Sequence, residues 1–193
     1  MKTIAVCCAL ALLATPAARA DHHETKKDAQ APAEMPMPKP GPEHEMLKAD
    51  VGTWDAKVEM FMEPGKPPVV SPGSETNMLG GGGMWLVSHF KSEMMGQPFE
   101  GHGTFGWDPA KKAYVSTWVD SMSTSISFGE ATHDAKSKTL TGWMETVGSD
   151  GKPMKMKTVS KWNADGTRTF DMMMPGPGGK DITTMRITYT KRK

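Results

Sequence analysis

Gly101-His102-Gly103-Thr104-Phe105-Gly106-Trp107-Asp108-Pro109-Ala110-Lys111-Lys112-Ala113-Tyr114-Val115-Ser116-Thr117-Trp118-Val119-Asp120 reads as two strands around a tight turn. Phe99, Gly101, Gly103, Phe105 and Trp107 share one parity before the turn; Tyr114, Ser116, Trp118 and Asp120 share one after it. Successive side chains of a strand point to opposite faces, so each row predicts one buried face. Asp108-Pro109 makes the turn, because proline presets φ and the aspartate accepts hydrogen bonds from nearby backbone.

The same grammar repeats outward in both directions. Trp54, Ala56, Val58, Met60 and Met62 alternate with Thr53, Asp55, Lys57 and Glu59 in a first strand. A loop over 64–72, a second strand over 74–79, a turn over glycines 80–83 and a third strand over 84–95 follow. Beyond the hairpin, Thr124, Ile126 and Phe128 mark a sixth strand and residues 140–147 a seventh. Met154, Met156, Thr158, Ser160 and Trp162 mark the eighth, residues 168–174 the ninth, and Met185, Ile187 and Tyr189 the last. About ten short strands with hairpin-length links predict an all-β fold. The expected architecture is an antiparallel up-and-down β-barrel, favoured over a sandwich because closure removes edge strands. A barrel of this size holds side chains or one small ligand. Trp54, Trp85, Trp107, Trp118, Trp143 and Trp162 fall on six different strands and are expected as a distributed core around a cavity.

The N-terminus reads as an export signal. Lys2, an apolar run over 4–13 and Ala18-Arg19-Ala20 form a signal peptide over 1–20, with the mature chain starting at Asp21 in a periplasm or outside the cell. The run is shorter than the ~20 residues needed to span a bilayer. Cys7 and Cys8 both lie within it, so the mature chain is expected to have no disulfide, cysteine nucleophile or thiolate metal site. Without Lys2 and Arg19, 21 basic residues face 22 acidic ones, and no basic field exists to attract nucleic acid or an anionic membrane. No second apolar run is long enough for membrane insertion. Residues 21–42 form an Ala/Pro/Met-rich arm, expected to be disordered, that ends Met35-Pro36-Met37-Pro38-Lys39-Pro40-Gly41-Pro42. A short helical turn over 43–50 then opens the barrel domain, 43–193.

Few motifs carry chemistry. Gly101-x-Gly103-x-x-Gly106 matches the dinucleotide fingerprint in letters only, because a turn and a strand follow it where a helix N-terminus is required. Asp120 is either an inward carboxylate, costly unless paired, or a strand-end turn cap. His89 and His102 read as cavity-mouth residues, haem ligands or ordinary surface histidines. Methionine is over-represented, in Met60-Phe61-Met62, Met94-Met95, Met154-Lys155-Met156 and Met172-Met173-Met174. These thioethers suit an adaptable apolar lining, soft Cu(I), or sacrificial oxidation. If cleavage follows Ala20, the α-amine of Asp21, two amides and the His23 imidazole of Asp21-His22-His23 give a square of nitrogens for Cu(II) or Ni(II).

Gly52-Thr53-Trp54, the Gly80-Gly81 turn before Met84-Trp85-Leu86, Gly96-Gln97-Pro98-Phe99-Glu100-Gly101, Gly106-Trp107-Asp108 and Trp118-Val119-Asp120-Ser121 resemble, in order, the family catalogued as domain of unknown function 1579. The likeness covers roughly 43–192, with Trp107 where the family often has Tyr. It implies a lipocalin-like or calycin-like barrel and lends no activity. Gly52-x-Trp54 with a basic residue on the last strand, Arg186 or Arg192, also looks like the closure of lipocalins, in which an arginine stacks over the tryptophan.

Three functional readings follow. The first is a carrier for a small apolar or amphipathic molecule, held by Trp54, Met60, Trp85, His89, His102, Trp118, Asp120 and Trp143. The second is copper or nickel binding through Asp21, His22, His23 and the methionines. The third is an enzyme pairing Asp120 with His89 or His102.

Overall fold

A computed structural model describes residues 37–148 and 150–193. A 3-10 turn (Pro42–His44) and one short helix, α1 (Glu45–Asp50), precede ten strands. They are β1 (Gly52–Met60), β2 (Val69–Gly80), β3 (Trp85–Met94), β4 (Gln97–Asp108), β5 (Ala113–Asp120), β6 (Ser127–Asp134), β7 (Thr139–Val147), β8 (Pro153–Trp162), β9 (Arg168–Pro175) and β10 (Asp181–Lys191). Each pairs with the next in sequence, and β10 returns to β1 to close the ring. The fold is therefore the expected antiparallel up-and-down barrel. The leader and the Asp21-His22-His23 triplet lie outside the described residues.

Turn chemistry explains the short links. At the β4–β5 turn Asp108 Oδ1 accepts the Ala110 and Lys111 amides at 2.9 and 3.2 Å. Asp134 does the same for Lys136 and Ser137 at the β6–β7 turn. Both turns lie at the end of the barrel where β1 begins, which we call the stoppered end.

Antiparallel partners share a face, so the register carries the inner row around the ring. Trp54, Ala56 and Val58 on β1 meet Ile187 and Tyr189 of β10 inside, joined by Phe90 and Phe99 in one buried cluster. The inner rows expected for β4, β5, β8 and β10 point into this space, as does that of β1 as far as Met60, while Met62 lies beyond the strand and is exposed. Trp118 packs flat over Gly101 and Gly103, where a Cβ at Gly101 would overlap the indole.

Three expectations about facing and bounds are corrected. On β3 the inner row is Leu86, Ser88, Phe90, Ser92 and Met94, so Trp85, Val87 and His89 face outward. Trp85 covers the outer face of Gly106, which has no side chain to obstruct it. Trp143 is likewise outside, with Lys155 Nζ 3.8 Å from its ring centre. Four tryptophans, not six, therefore face the interior: Trp54, Trp107, Trp118 and Trp162. On β6 the pairing of Trp118 with Ser127 puts Ser127, Gly129, Ala131 and His133 inside. Phe128 is left outside, and Thr124 and Ile126 precede the strand. β2 begins at Val69, within the expected loop, because it pairs with Met60 there.

Candidate functional site

The two ends of the barrel differ in kind. At the stoppered end the last residue of α1, Asp50, is buried and acts as a hub. Its carbonyl accepts Trp54 Nε1 at 2.9 Å and Asn77 Nδ2 at 3.2 Å. Its carboxylate accepts Trp162 Nε1 and Arg168 Nη1, each at 2.7 Å. Arg168 Nη2 donates to Glu75, whose Oε1 also accepts Asn77 Nδ2 at 2.7 Å. The guanidinium lies over Tyr189 at 4.1 Å and near Trp54 at 5.4 Å. Burial disfavours the charged guanidinium, but the Glu75 and Asp50 carboxylates outweigh it and hold Arg168 above its ordinary pKa. Burial, then the Glu75 charge, pushes the Tyr189 hydroxyl well above the usual tyrosine value.

This corrects the residue named for the closure read from sequence: the last-strand cation over Trp54 is Lys191, its Nζ 5.1 Å from the ring centre, not Arg186 or Arg192. The arginine beside Trp54 is Arg168 of β9, brought there by its register with Trp162 and Tyr189. Arg186 and Arg192 face outward and pair with Asp171 and Asp55. Tyr114 ties the stopper further, its hydroxyl donating to the Glu43 carbonyl at 2.8 Å.

The opposite end, which we call the open end, is apolar on its β1–β2–β3 side. A cavity of about 260 Å³ is lined by Val58, Met60, Met62, Val69, Ser71, Glu93, Met94 and Met95. Val58, Met60 and Met94 are shared with the core cluster, so its floor is the packed interior. Met62 and Met95 stand at the rim, exposed by 62% and 67%, and form a soft apolar lip. Met122 and Ile126, in the β5–β6 link at the same end, are also exposed. Met60 faces Met185, which faces Met172, so thioethers continue along the inner wall across β1, β10 and β9.

The structure distributes the sequence-read candidates over four places. Met60 lines the cavity. Trp54 belongs to the stopper. Trp118 and Asp120 face inward near the open end, where Trp118 Nε1 donates to Asp120 Oδ2 at 3.0 Å and Asp120 Oδ1 accepts the Met122 amide at 2.9 Å. Both earlier readings of Asp120 thus describe one residue: an inward carboxylate paired to an indole that also caps a turn. Trp85, His89, His102 and Trp143 are on the outer wall, so they do not line the interior or present an imidazole to a haem within it. Asp120 and the two histidines lie on opposite faces, and the acid–base pair is not assembled. The candidate site residues read from sequence left out Val58, although it stands in the inner row read for β1, together with Val69, Ser71 and Glu93. The available signal was the pair of methionine motifs, Met60-x-Met62 and Met94-Met95, that the β1–β2–β3 pairing brings to one rim.

Residues 39–191 match the family described as "Protein of unknown function (DUF1579)". The chain belongs to the DUF1579 family. Among curated proteins none matches it. This DUF1579 barrel is also similar to the crystal structure of Rv2717c from M. tuberculosis, with a TM-score of 0.57 and 11% identity. The likeness covers 79% of this chain and 99% of that one, and at such identity it shows a shared fold.

Proposed function

We propose that this DUF1579 barrel binds a small apolar or amphipathic molecule through its open end. The observation that carries the reading is the methionine-walled cavity facing outward opposite a charged, hydrogen-bonded stopper. At about 260 Å³ it falls just below the ~300–1,000 Å³ of drug-sized ligand sites, which favours a compact ligand or the end of one alkyl chain. Unbranched thioethers repack around different shapes, which suits a site selecting on apolarity more than on hydrogen bonding. The leader read over residues 1–20 fits a role outside the cytoplasm, and the N-terminal sequence of the purified protein tests that part.

Displacement of Nile red by a homologous series of n-alkanols tests the binding. Each added methylene contributes roughly 0.8 kcal/mol, so affinity should rise about fourfold per carbon until the cavity is full. Met94→Lys, which puts a charge in the wall, should abolish saturable dye binding while circular dichroism stays unchanged. Absence of saturable binding in the unaltered protein, or affinity independent of chain length, would overturn the proposal.

One observation favours a second reading, a soft cation such as Cu(I). Four thioethers from distant positions, Met60, Met62, Met94 and Met95, line the same cavity. Met62→Leu with Met95→Leu separates the two. Leucine keeps the apolar lip and hence dye binding, but removes sulfur. Cu(I) uptake against a chromogenic chelator should fall only if sulfur is what matters.

A further inference from the structure

His89 and His102 are direct partners in the β3–β4 ladder, on the outer wall. Their rings stack with centres 4.4 Å apart and planes within 6° of parallel. Glu100, two residues before His102 on the same face, turns its carboxylate diagonally onto this pair. His89 Nε2 lies 2.6 Å from Glu100 Oε1, and His102 Nε2 lies 3.5 Å from the same oxygen. All three donor atoms fall within 4.8 Å of one another. We propose that His89, Glu100 and His102 form a surface site for a divalent transition cation, with zinc(II) as its representative ion.

The donor set and its spacing carry the argument. Two imidazoles and one carboxylate are the borderline ligands that zinc takes, at roughly 2.0–2.2 Å each. Tetrahedral placement at those lengths separates ligand atoms by about 3.3 Å. The His102–Glu100 spacing of 3.5 Å already meets this, the His89–Glu100 spacing of 2.6 Å must open by about 0.7 Å, and the stacked rings must turn toward one another, since each nitrogen lone pair lies in its ring plane. Three protein ligands leave the fourth position to water, the arrangement of exchangeable sites. All three residues sit on paired strands rather than loops, so the backbone spacing is set by the ladder. The site is separate from the cavity at the open end: these side chains stand on the outer wall of β3 and β4, and the cavity lies at the rim between β1, β2 and β3.

The alternative occupant of the same geometry is a proton shared between His89 and Glu100. Around the cluster, Lys91 faces Glu100 across the β3–β4 ladder, Thr76 of β2 faces His89, and Val119 of β5 faces His102. Lys91 is the one cation directly opposite. Its charge weakens attraction for a second cation, while Glu100 supplies the compensating negative charge.

Titration of the full chain with zinc chloride, followed by calorimetry and by the imidazole nitrogen resonances, tests the site. One equivalent should bind and shift Nε2 of His89 and His102. His102→Ala and Glu100→Gln each remove one donor from an exposed position and should weaken that event by about 100-fold or more, since even outer-shell losses at metal sites cost 10–100-fold. Circular dichroism of both variants should match the unaltered chain. Joint replacement of His22 and His23 by Ala is the control for the N-terminal histidines and should leave the event intact. Zinc binding that survives His102→Ala and disappears with His22 and His23 would overturn the proposal, as would imidazole resonances of His89 and His102 that do not move.

Discussion

Replacing Arg168 by methionine is the most incisive perturbation of this barrel. The side chain is only 11% exposed and bridges Asp50 and Glu75, whose side chains are 8% and 9% exposed. Methionine keeps an unbranched apolar side chain of similar reach but loses the guanidinium that lies over Tyr189 and leaves two carboxylates without their cation. Removing one partner of a buried ion pair costs about 3–5 kcal/mol, mostly because the charge left behind is uncompensated. Total stabilities lie near 5–15 kcal/mol, so the variant should remain folded but be much weakened. At about 2–4 °C per kcal/mol for a domain of this size, the midpoint should drop by roughly 6–20 °C. Thermal and urea denaturation at neutral pH measure this. Adding Asp50→Asn and Glu75→Gln should recover part of the loss, because neutral amides tolerate burial better than bare carboxylates. A loss below about 1 kcal/mol for Arg168→Met, or no recovery in the triple variant, would refute the assignment of Arg168 as counter-charge of the stopper.

Gly101→Ala places a methyl group into the Trp118 ring and should cost about 1–3 kcal/mol in urea unfolding, with a changed tryptophan emission. Trp118→Leu in the same chain should return part of it. Tyr189 has a pKa raised by burial, so the unfolded chain ionises first. Its contribution is constant below pH ~10 and is lost above it at about 1.4 kcal/mol per pH unit until the folded group titrates. The difference between the alkaline stability curves of the unaltered protein and Tyr189→Phe measures that slope. Glu100 is held below the ordinary glutamate range, chiefly by the hydrogen bond from His89 and then by the Lys91 charge. Carbon-detected titration should show its carboxyl returning toward the usual value in His89→Ala.

Strand number, order and closure were legible because period-two rows are strong where one row is apolar and the other charged, as in Trp54-Ala56-Val58 against Asp55-Lys57-Glu59. The reading faltered where both rows carry large apolar groups. Trp85 and Val87 compete with Leu86 and Phe90 for the inside of β3, and local pattern cannot rank them. The decision comes from Gly106, 21 positions away in sequence, whose bare backbone receives Trp85 on the outer wall. Trp143 is retained outside in a similar way, by Lys155 on the neighbouring strand. Arg168 was invisible as the partner of Trp54 because two strand registers must be known before β9 and β1 can be placed around one buried charge. For the candidate site, the methionine motifs were visible as composition, but their convergence on one rim depends on the β1–β2 and β2–β3 pairings. The His89–His102 pair likewise depends on the β3–β4 register, which sequence spacing alone does not fix.

The sequential order of strands also bears on how the barrel forms. Nine of its ten strand pairings join neighbours along the chain, and only β10 with β1 spans the length of the domain. Local hairpins can therefore nucleate cheaply along an open ribbon, while the last seam bears the loop-closure entropy of the whole ring. That seam is also where β1 delivers the stopper: Arg192 reaches Asp55 across it, and Lys191 Nζ donates to the Ala49 carbonyl. Capping one end and zipping the circle shut are consequently a single cooperative step. A chain cut and rejoined so that β5 and β6 become its termini would trade that late event for an early hairpin, and would fold by a different route to the same ring.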